Sequence, residues 1–289
     1  MNLFALTSNP SARIRKLSIT SDIQGEVETF FTQIESDFLG SSENTIPFDG
    51  KYKPEDGEIL EIPDFTDIDG LADAVRNPTT VDDFIPDNGL LYQIKAIFSG
   101  RVEQSGQVTV LIQKFDKRKI LSTSGISLFF SENVYKKVEG KGITIDPKLT
   151  AVLSGTSLKF KTFFMLRQIF DMSNYYKEAT DQDIRDFGQE PHVSVANIDQ
   201  LVALADPWIK RKIGLIQQSG VLDSLPLNVI KAIADEYQVP LTIESGKIVF
   251  PLDKKELKNI LRFLDEDYYK SPLTQTHWIA NSKRVVGPG

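Results

Sequence analysis

The sequence predicts an α+β protein: an antiparallel β-sheet in the middle of the chain, followed by a mostly helical C-terminal half. Two observations carry this. Between residues 90 and 161, short runs rich in β-branched and aromatic residues alternate with Ser-Gly turns, and from Thr162 onward apolar residues recur at helical spacing. Strands grouped first and helices second give the segregated layers of an α+β plan, not the alternation of βαβ units. The chain accordingly divides into an acidic N-terminal helix and irregular region (1–89), an antiparallel β region (90–161) and a helical region with a small β-hairpin (162–289). One continuous domain from 90 to 289 is the alternative.

The first element is an amphipathic helix, "SDIQGEVETFFTQIESDFLG". Ser21 and Asp22 stand at its capping end, Val27, Phe30, Phe31, Ile34 and Phe38 fall on one stripe, and Gly40 closes it. From Ser41 to Asn88 the chain is dense in Pro, Gly and Asp and reads as irregular, with one short helix near "DIDGLADAV". The β region follows as "LLYQIKAIFSG", "QVTVLIQKFD", "GISLFFSENVY", "GITID" and "AVLSG", separated by Ser99-Gly100, Ser105-Gly106, Ser124-Gly125 and Gly140-Lys141-Gly142. Then come the helical runs "FFMLRQIFDMSNYYKEAT", "DQDIRDFGQ", "VANIDQLVALA", "PWIKRKIGLIQQSG" and "LNVIKAIADEYQ". Pro207 sits where a first helical position belongs, and Gly220 where that helix stops. "PLTIESGKIVF" reads as a hairpin turning at Ser245-Gly246. The helix after it is capped by Asp253 and buries Leu257, Ile260, Leu261 and Leu264. Asp265 to Asp267 oppose the dipole at that helix's C-terminus and call for basic partners, with Lys270, Lys283 and Arg284 nearest in sequence. Ser271-Pro272 stops the helix, and Thr274 caps an expected short final helix containing Trp278.

At 40% hydrophobic and 25% charged residues, the composition is that of a soluble globular chain. No apolar run reaches the roughly 20 residues of a membrane helix, and the N-terminus lacks the pattern of a signal peptide. The 289 residues include no cysteine, which removes disulfides, thiol catalysis and cysteine-ligated zinc and suits a reducing compartment, so a cytoplasmic location is expected. The net charge of -7 hides an asymmetry. Residues 1–90 hold 6 Lys and Arg against 18 Asp and Glu, residues 91–170 hold 13 against 5, and residues 171–289 hold 14 against 17. A middle segment of +8 within an acidic protein is either a polyanion surface or the partner of the acidic N-terminal part.

Catalytic patterns are sparse. The two histidines, His192 and His277, belong to no metal-binding motif, and no phosphate loop, dinucleotide fingerprint or nucleophile elbow is present. One arrangement, Asp116 with Glu139 and Lys141, matches the loose spacing of a Mg-dependent nuclease, although Gly140 and Gly142 make it a turn. The expectation is therefore a protein that is not an enzyme and uses no cofactor. Binding chemistry is richer. Lys114, Lys117, Arg118 and Lys119 surround one β-turn, and Lys136, Lys137 and Lys141 the next. Lys210, Arg211 and Lys212 lie on the helix that begins at Pro207, where successive residues fan out by about 100° and cannot all face one surface. Lysines in such groups act as point charges on phosphates without reading bases.

Three stretches together resemble a known family: "FKTFFMLRQIFDMSNYYKEA", "DPWIKRKIGLIQQSGVL" and the closing "ILRFLDEDYYKSPLTQTHWIANSK". They are similar to the KwaB-like proteins of the Kiwa bacterial anti-phage defence system, over a span from about Leu90 to Arg284. The resemblance implies a cytoplasmic effector, recruited to the inner membrane by a small multi-span membrane partner, that forms a homo-dimer or higher oligomer. It also implies binding of DNA in a sequence-tolerant way, restraining phage DNA rather than cutting it. The alternatives are the Asp116/Glu139/Lys141 nuclease and a pure protein-interaction module.

Overall fold

The computed structural model describes residues 1–121, 126–138, 140–176 and 178–284, with backbone alone at Asn88 and Phe129. The chain forms two compact units. The first comprises Met1–Phe48 and Lys53–Asp171, the second Asp49–Tyr52 and Met172–Gly289.

In the first unit the N-terminal strands are β1 (Leu3–Thr7), β2 (Ile14–Leu17), β3 (Asn44–Pro47) and β4 (Glu58–Ile62). The middle of the chain adds β5 (Ile94–Val102), β6 (Val108–Lys114), β7 (Ile120–Leu121), β8 (Leu128–Ser131), β9 (Val134–Lys137), β10 (Gly142–Ile143), β11 (Ala151–Ser154) and β12 (Ser157–Phe160). Eight of these form one sheet in the order β2-β1-β5-β6-β11-β12-β4-β3, antiparallel at every pairing except β3 with β4. The helices of this unit are α1 (Ser21–Gly40), α2 (Leu71–Arg76), α3 (Asn88–Leu91) and α4 (Phe163–Leu166).

Both faces of the sheet are covered, which is why β1, β5 and β6 read as nearly continuous apolar runs and not as alternating ones. On one face, Val27, Phe31, Ile34 and Phe38 of α1 pack over Leu3, Ala5, Ile97, Leu111 and Val152. Register puts these residues in line, with Ala5 opposite Ile97 and Leu111 opposite Val152. On the other face, Phe4 stacks on Phe98 with ring centroids 5.1 Å apart. There α2 approaches so closely that Gly100 is required: a Cβ at this position would lie 2.4 Å from the Thr109 carbonyl oxygen and 2.9 Å from Val75 Cγ2.

Ser99-Gly100, expected as a turn, lies within β5, and three further local expectations change here. "LFALT" and "EILEI", the latter within the stretch read as irregular, are strands of the main sheet. The partner of β4 is β12, with Leu60 opposite Phe160, and a pairing across 100 residues leaves no local signal. The helix expected to run through "FFMLRQIFDMSNYYKEAT" is limited to α4, after which Ile169 and Phe170 bury in irregular turns. The chain leaves the first unit at Asp171, and the Asp-Met-Ser-Asn that follows supplies side chains which compete for backbone hydrogen bonds.

The second unit holds α5 (Asp181–Phe187), α6 (Ile198–Leu204), α7 (Pro207–Ser219), α8 (Val221–Ser224), α9 (Leu227–Glu236) and α10 (Lys254–Leu264). Its strands are β13 (Val193–Val195), β14 (Thr242–Glu244), β15 (Lys247–Phe250), β16 (Tyr268–Lys270) and β17 (His277–Ile279). β15 lies between parallel β13 and antiparallel β14. The core joins Phe187, Ile209, Ile213, Phe250, Leu257 and Leu261. Helix ends follow local chemistry. Asp206 accepts from the Ile209 amide ahead of α7, Gly220 ends that helix at φ 63°, and Asp253 accepts from the amides of Lys255 and Glu256. The expected final helix capped by Thr274 is instead a hairpin, with Tyr269 opposite Trp278. Tyr, Trp and Ile suit a pleated, half-covered surface, and the His277 ring stacks on Tyr237 at 4.4 Å. Among the described residues, no helix is long and apolar enough to cross a membrane.

Candidate nucleic-acid interface

Strand β6 ends in Lys114, whose amide donates to Thr150 Oγ1 at 2.8 Å and so ties the strand end to the start of β11. The chain then turns through a short 3-10 helix, Lys117–Lys119, capped by the Asp116 carboxylate, which accepts from the Arg118 amide. Asp116 also takes the Arg118 side chain at 2.6 Å, and that hydrogen bond holds its carboxyl far below the usual carboxylate range. Lys119 reaches Asp146 at 2.8 Å. After β12, Lys161 donates to Ser41 Oγ and lies 5.2 Å from the centre of the Phe38 ring.

These pieces border one open cleft of about 510 Å³, whose charged lining residues are Lys114, Asp116, Asp146, Lys148 and Lys161. Each of the two carboxylates is matched by a basic residue, Asp116 by Arg118 and Asp146 by Lys119. Lys114, Lys148 and Lys161 therefore remain as the net charge of the cleft. Among the described residues Lys117 and Lys148 have no carboxylate partner, and Lys114 acts on Asp116 through space without forming an ion pair. Lys148 and Lys161 were not singled out in the sequence, because pairing of β6 with β11 and β11 with β12 is what brings them beside Lys114. An acidic residue of the N-terminal part does reach the basic middle, through Glu35 and Arg101 at 2.5 Å, yet Arg118, Lys119 and Lys136 pair with Asp116, Asp146 and Glu132 of the middle segment itself.

The second group of lysines is on a separate ladder. β7 pairs with β10, and in sequence between them lies the β8–β9 hairpin, turned by Glu132 and Asn133 with φ of 52° and 62°. Two successive positive φ values are the geometry of a two-residue hairpin turn that matches strand twist. Lys136 pairs with Glu132, Lys137 is exposed, and Lys141 donates to the Pro86 carbonyl at 3.2 Å. Of the nuclease-like trio, Asp116 is engaged by Arg118 and Glu139 lies outside the described residues. No group of three His, Asp or Glu among the described residues is gathered as metal ligands would be.

The third group is in the second unit, and its members are held by protein. Lys210 pairs with Asp181 at 2.6 Å. Arg211 donates to the Gly50 carbonyl and lies 5.0 Å from the Tyr176 ring centre. Lys212 is buried, 2.5 Å from both Asp265 and Asp267. Lys283 adds a second ammonium, 3.1 Å from Asp267. The acid run at the end of α10 thus has the partner Lys283 that its position predicted and also Lys212, which lies 53 residues earlier. Asp265 and Asp267 are each 3% exposed.

Among curated proteins and solved structures nothing matches the chain. The model of the family described as Kiwa protein KwaB-like matches residues 104–274, a stretch that includes the cleft, the β8–β9 hairpin and the helices of the second unit. With more than half of its length matched, the chain belongs to the KwaB-like family of the Kiwa anti-phage defence system.

Proposed function

We propose that the protein acts in Kiwa defence by holding duplex DNA through its phosphates, without cutting it, at the cleft bordered by β6, β11 and β12. The observation that carries this reading is the composition of the cleft: both of its carboxylates are matched by local basic residues, so three lysines from three sequence positions remain for an outside anion. Lysines arranged this way contribute affinity that does not depend on base sequence. Lys117 on the rim extends the positive surface, while Arg118 and Lys119 beside it hold Asp116 and Asp146 neutral. Recruitment to the inner membrane by a multi-span partner and self-association rest on the family resemblance.

The test is a gel-shift titration on a duplex of ~50 base pairs at two salt concentrations, with and without Mg²⁺, alongside Lys117/Arg118/Lys119→Ala. Binding that weakens with salt and with the substitutions, leaving the duplex intact, is the expected result. Salt slope falls by about 0.9 for each phosphate contact removed. Nicked product in Mg²⁺ would replace this reading with the nuclease, and absence of a shift would assign the basic surface to a protein partner.

A further inference from the structure

The β8–β9 hairpin carries large apolar side chains that no described residue of its own unit buries. By register, Leu128 is opposite Lys137 and Phe130 opposite Tyr135, so these four share one face. Leu128 is 58%, Phe130 62% and Tyr135 68% exposed. The two rings contact each other edge to face at 5.2 Å, which fixes their orientation toward solvent. A two-stranded hairpin is at best marginally stable in water, and an exposed face of this kind marks a surface that is covered in use.

Charge identifies the occupant. Residues 114–148, which contain the hairpin and both of its basic flanks, hold eight Lys and Arg against four Asp and Glu. The acidic residue at the hairpin tip, Glu132, is neutralised by Lys136. A second copy laid on the same apolar face would bring Lys137 of each copy toward that of the other, which like-charge repulsion opposes. A polyanion meets no such penalty. Two strands about 4.8 Å apart make a ribbon that a DNA major groove, roughly 12 Å wide, admits. Apolar side chains then meet thymine methyl groups along the base edges.

We infer that the β8–β9 hairpin enters a groove of the duplex, with the Leu128, Phe130 and Tyr135 face against the bases and Lys137 on the adjoining backbone. The inference rests on the DNA-binding reading above and assigns the base-facing element within it. Fluorescence anisotropy with a labelled ~50-base-pair duplex, read at several salt concentrations, separates the two. Phe130→Ala with Tyr135→Ala is expected to weaken binding about tenfold or more with the salt slope unchanged, and Phe130→Trp to keep most of the affinity. Lys137→Ala is expected to lower the slope by about 0.9. Circular dichroism and thermal melts of the variants should match the parent, because these side chains are exposed. If the parent binds and the double aromatic variant binds equally well, the hairpin proposal fails, its face serves a protein partner, and the cleft reading stands. A loss accompanied by a changed slope would mean an indirect effect and also overturn it. If the parent binds no DNA at any salt, both readings fail.

Discussion

Replacing Lys212 with methionine removes the central cation of a buried cluster while keeping most of the side chain's volume. In the parent, the Lys212 ammonium lies 2.5 Å from Asp265 Oδ2 and 2.5 Å from Asp267 Oδ2, with side-chain exposures of 11%, 2% and 3%. Lys283 stands 3.1 Å from Asp267 and 3.6 Å from Asp265, and Lys51 is 3.9 Å from Asp265. Without Lys212 the two carboxylates face each other in a dry site, with Lys283 as their main remaining cation. Breaking a buried pair by removing one partner costs about 3–5 kcal/mol, far more than the near-zero value of an exposed pair. In a unit of this size that corresponds to a fall in Tm of roughly 10–20 °C. Urea unfolding at pH 7, followed by tryptophan fluorescence, reads the change locally, since the Trp208 ring lies 5.6 Å from the Lys212 ammonium. The double variant Lys212→Met with Asp267→Asn should recover part of the loss, giving a coupling above about 1.5 kcal/mol. A loss under about 1 kcal/mol for Lys212→Met, or strict additivity, would refute the claim that this cluster is a buried, mutually dependent set.

Four further substitutions have defined signs. Gly100→Ala should cost about 2–3 kcal/mol in urea unfolding, because the new methyl meets the Thr109 carbonyl and Val75. Gly25→Ala in α1 has nothing within 4 Å and should instead gain up to about 1 kcal/mol. Glu190 has its pKa pushed up, mainly by burial and despite a hydrogen bond from Gln217. The folded state therefore binds this proton more tightly than the unfolded chain, and its contribution, present below the unfolded pKa, is lost as pH rises through the folded one. Glu190→Gln should accordingly raise Tm at pH 7 and leave it unchanged near pH 3.5, as melts at the two pH values would show. Asp253→Ala removes a side chain that caps two amides of α10 and should cost about 1 kcal/mol, measured in the same unfolding assay.

What the sequence revealed of this fold was local. Asp253, Pro207 with Gly220, and the stripe Leu257, Ile260, Leu261 and Leu264 each announce a helix within a few residues, and each is where its pattern puts it. The strands β1 and β4 are hard to see in the sequence because each, besides its near neighbour β2 or β3, is held in the sheet by a distant partner. β1 pairs with β5, more than 80 residues away, and β4 with β12. The same physics governs the site. The turn Lys117–Lys119 was visible because its residues are adjacent, whereas Lys148 and Lys161 join Lys114 only through the pairing of β6, β11 and β12. Helix geometry says that Lys210, Arg211 and Lys212 cannot all face one surface, but nothing within that helix shows that Asp265 and Asp267 will enclose Lys212. The sequence does not separate a C-terminal hairpin from a helix, because Ser271-Pro272 and Thr274 are turn and cap residues alike, and the Tyr269 and Trp278 pairing decides between the two.

The most direct test of the DNA-holding claim is the dependence of duplex affinity on salt, measured for the parent and for Lys114/Lys148/Lys161→Ala. If the three lysines hold phosphates, the parent shows a steep log–log slope and the triple variant loses about 2.7 units of it, at 0.9 for each contact. Equal slopes, with the triple variant folded, would contradict the account and place the anion-binding surface elsewhere on the molecule.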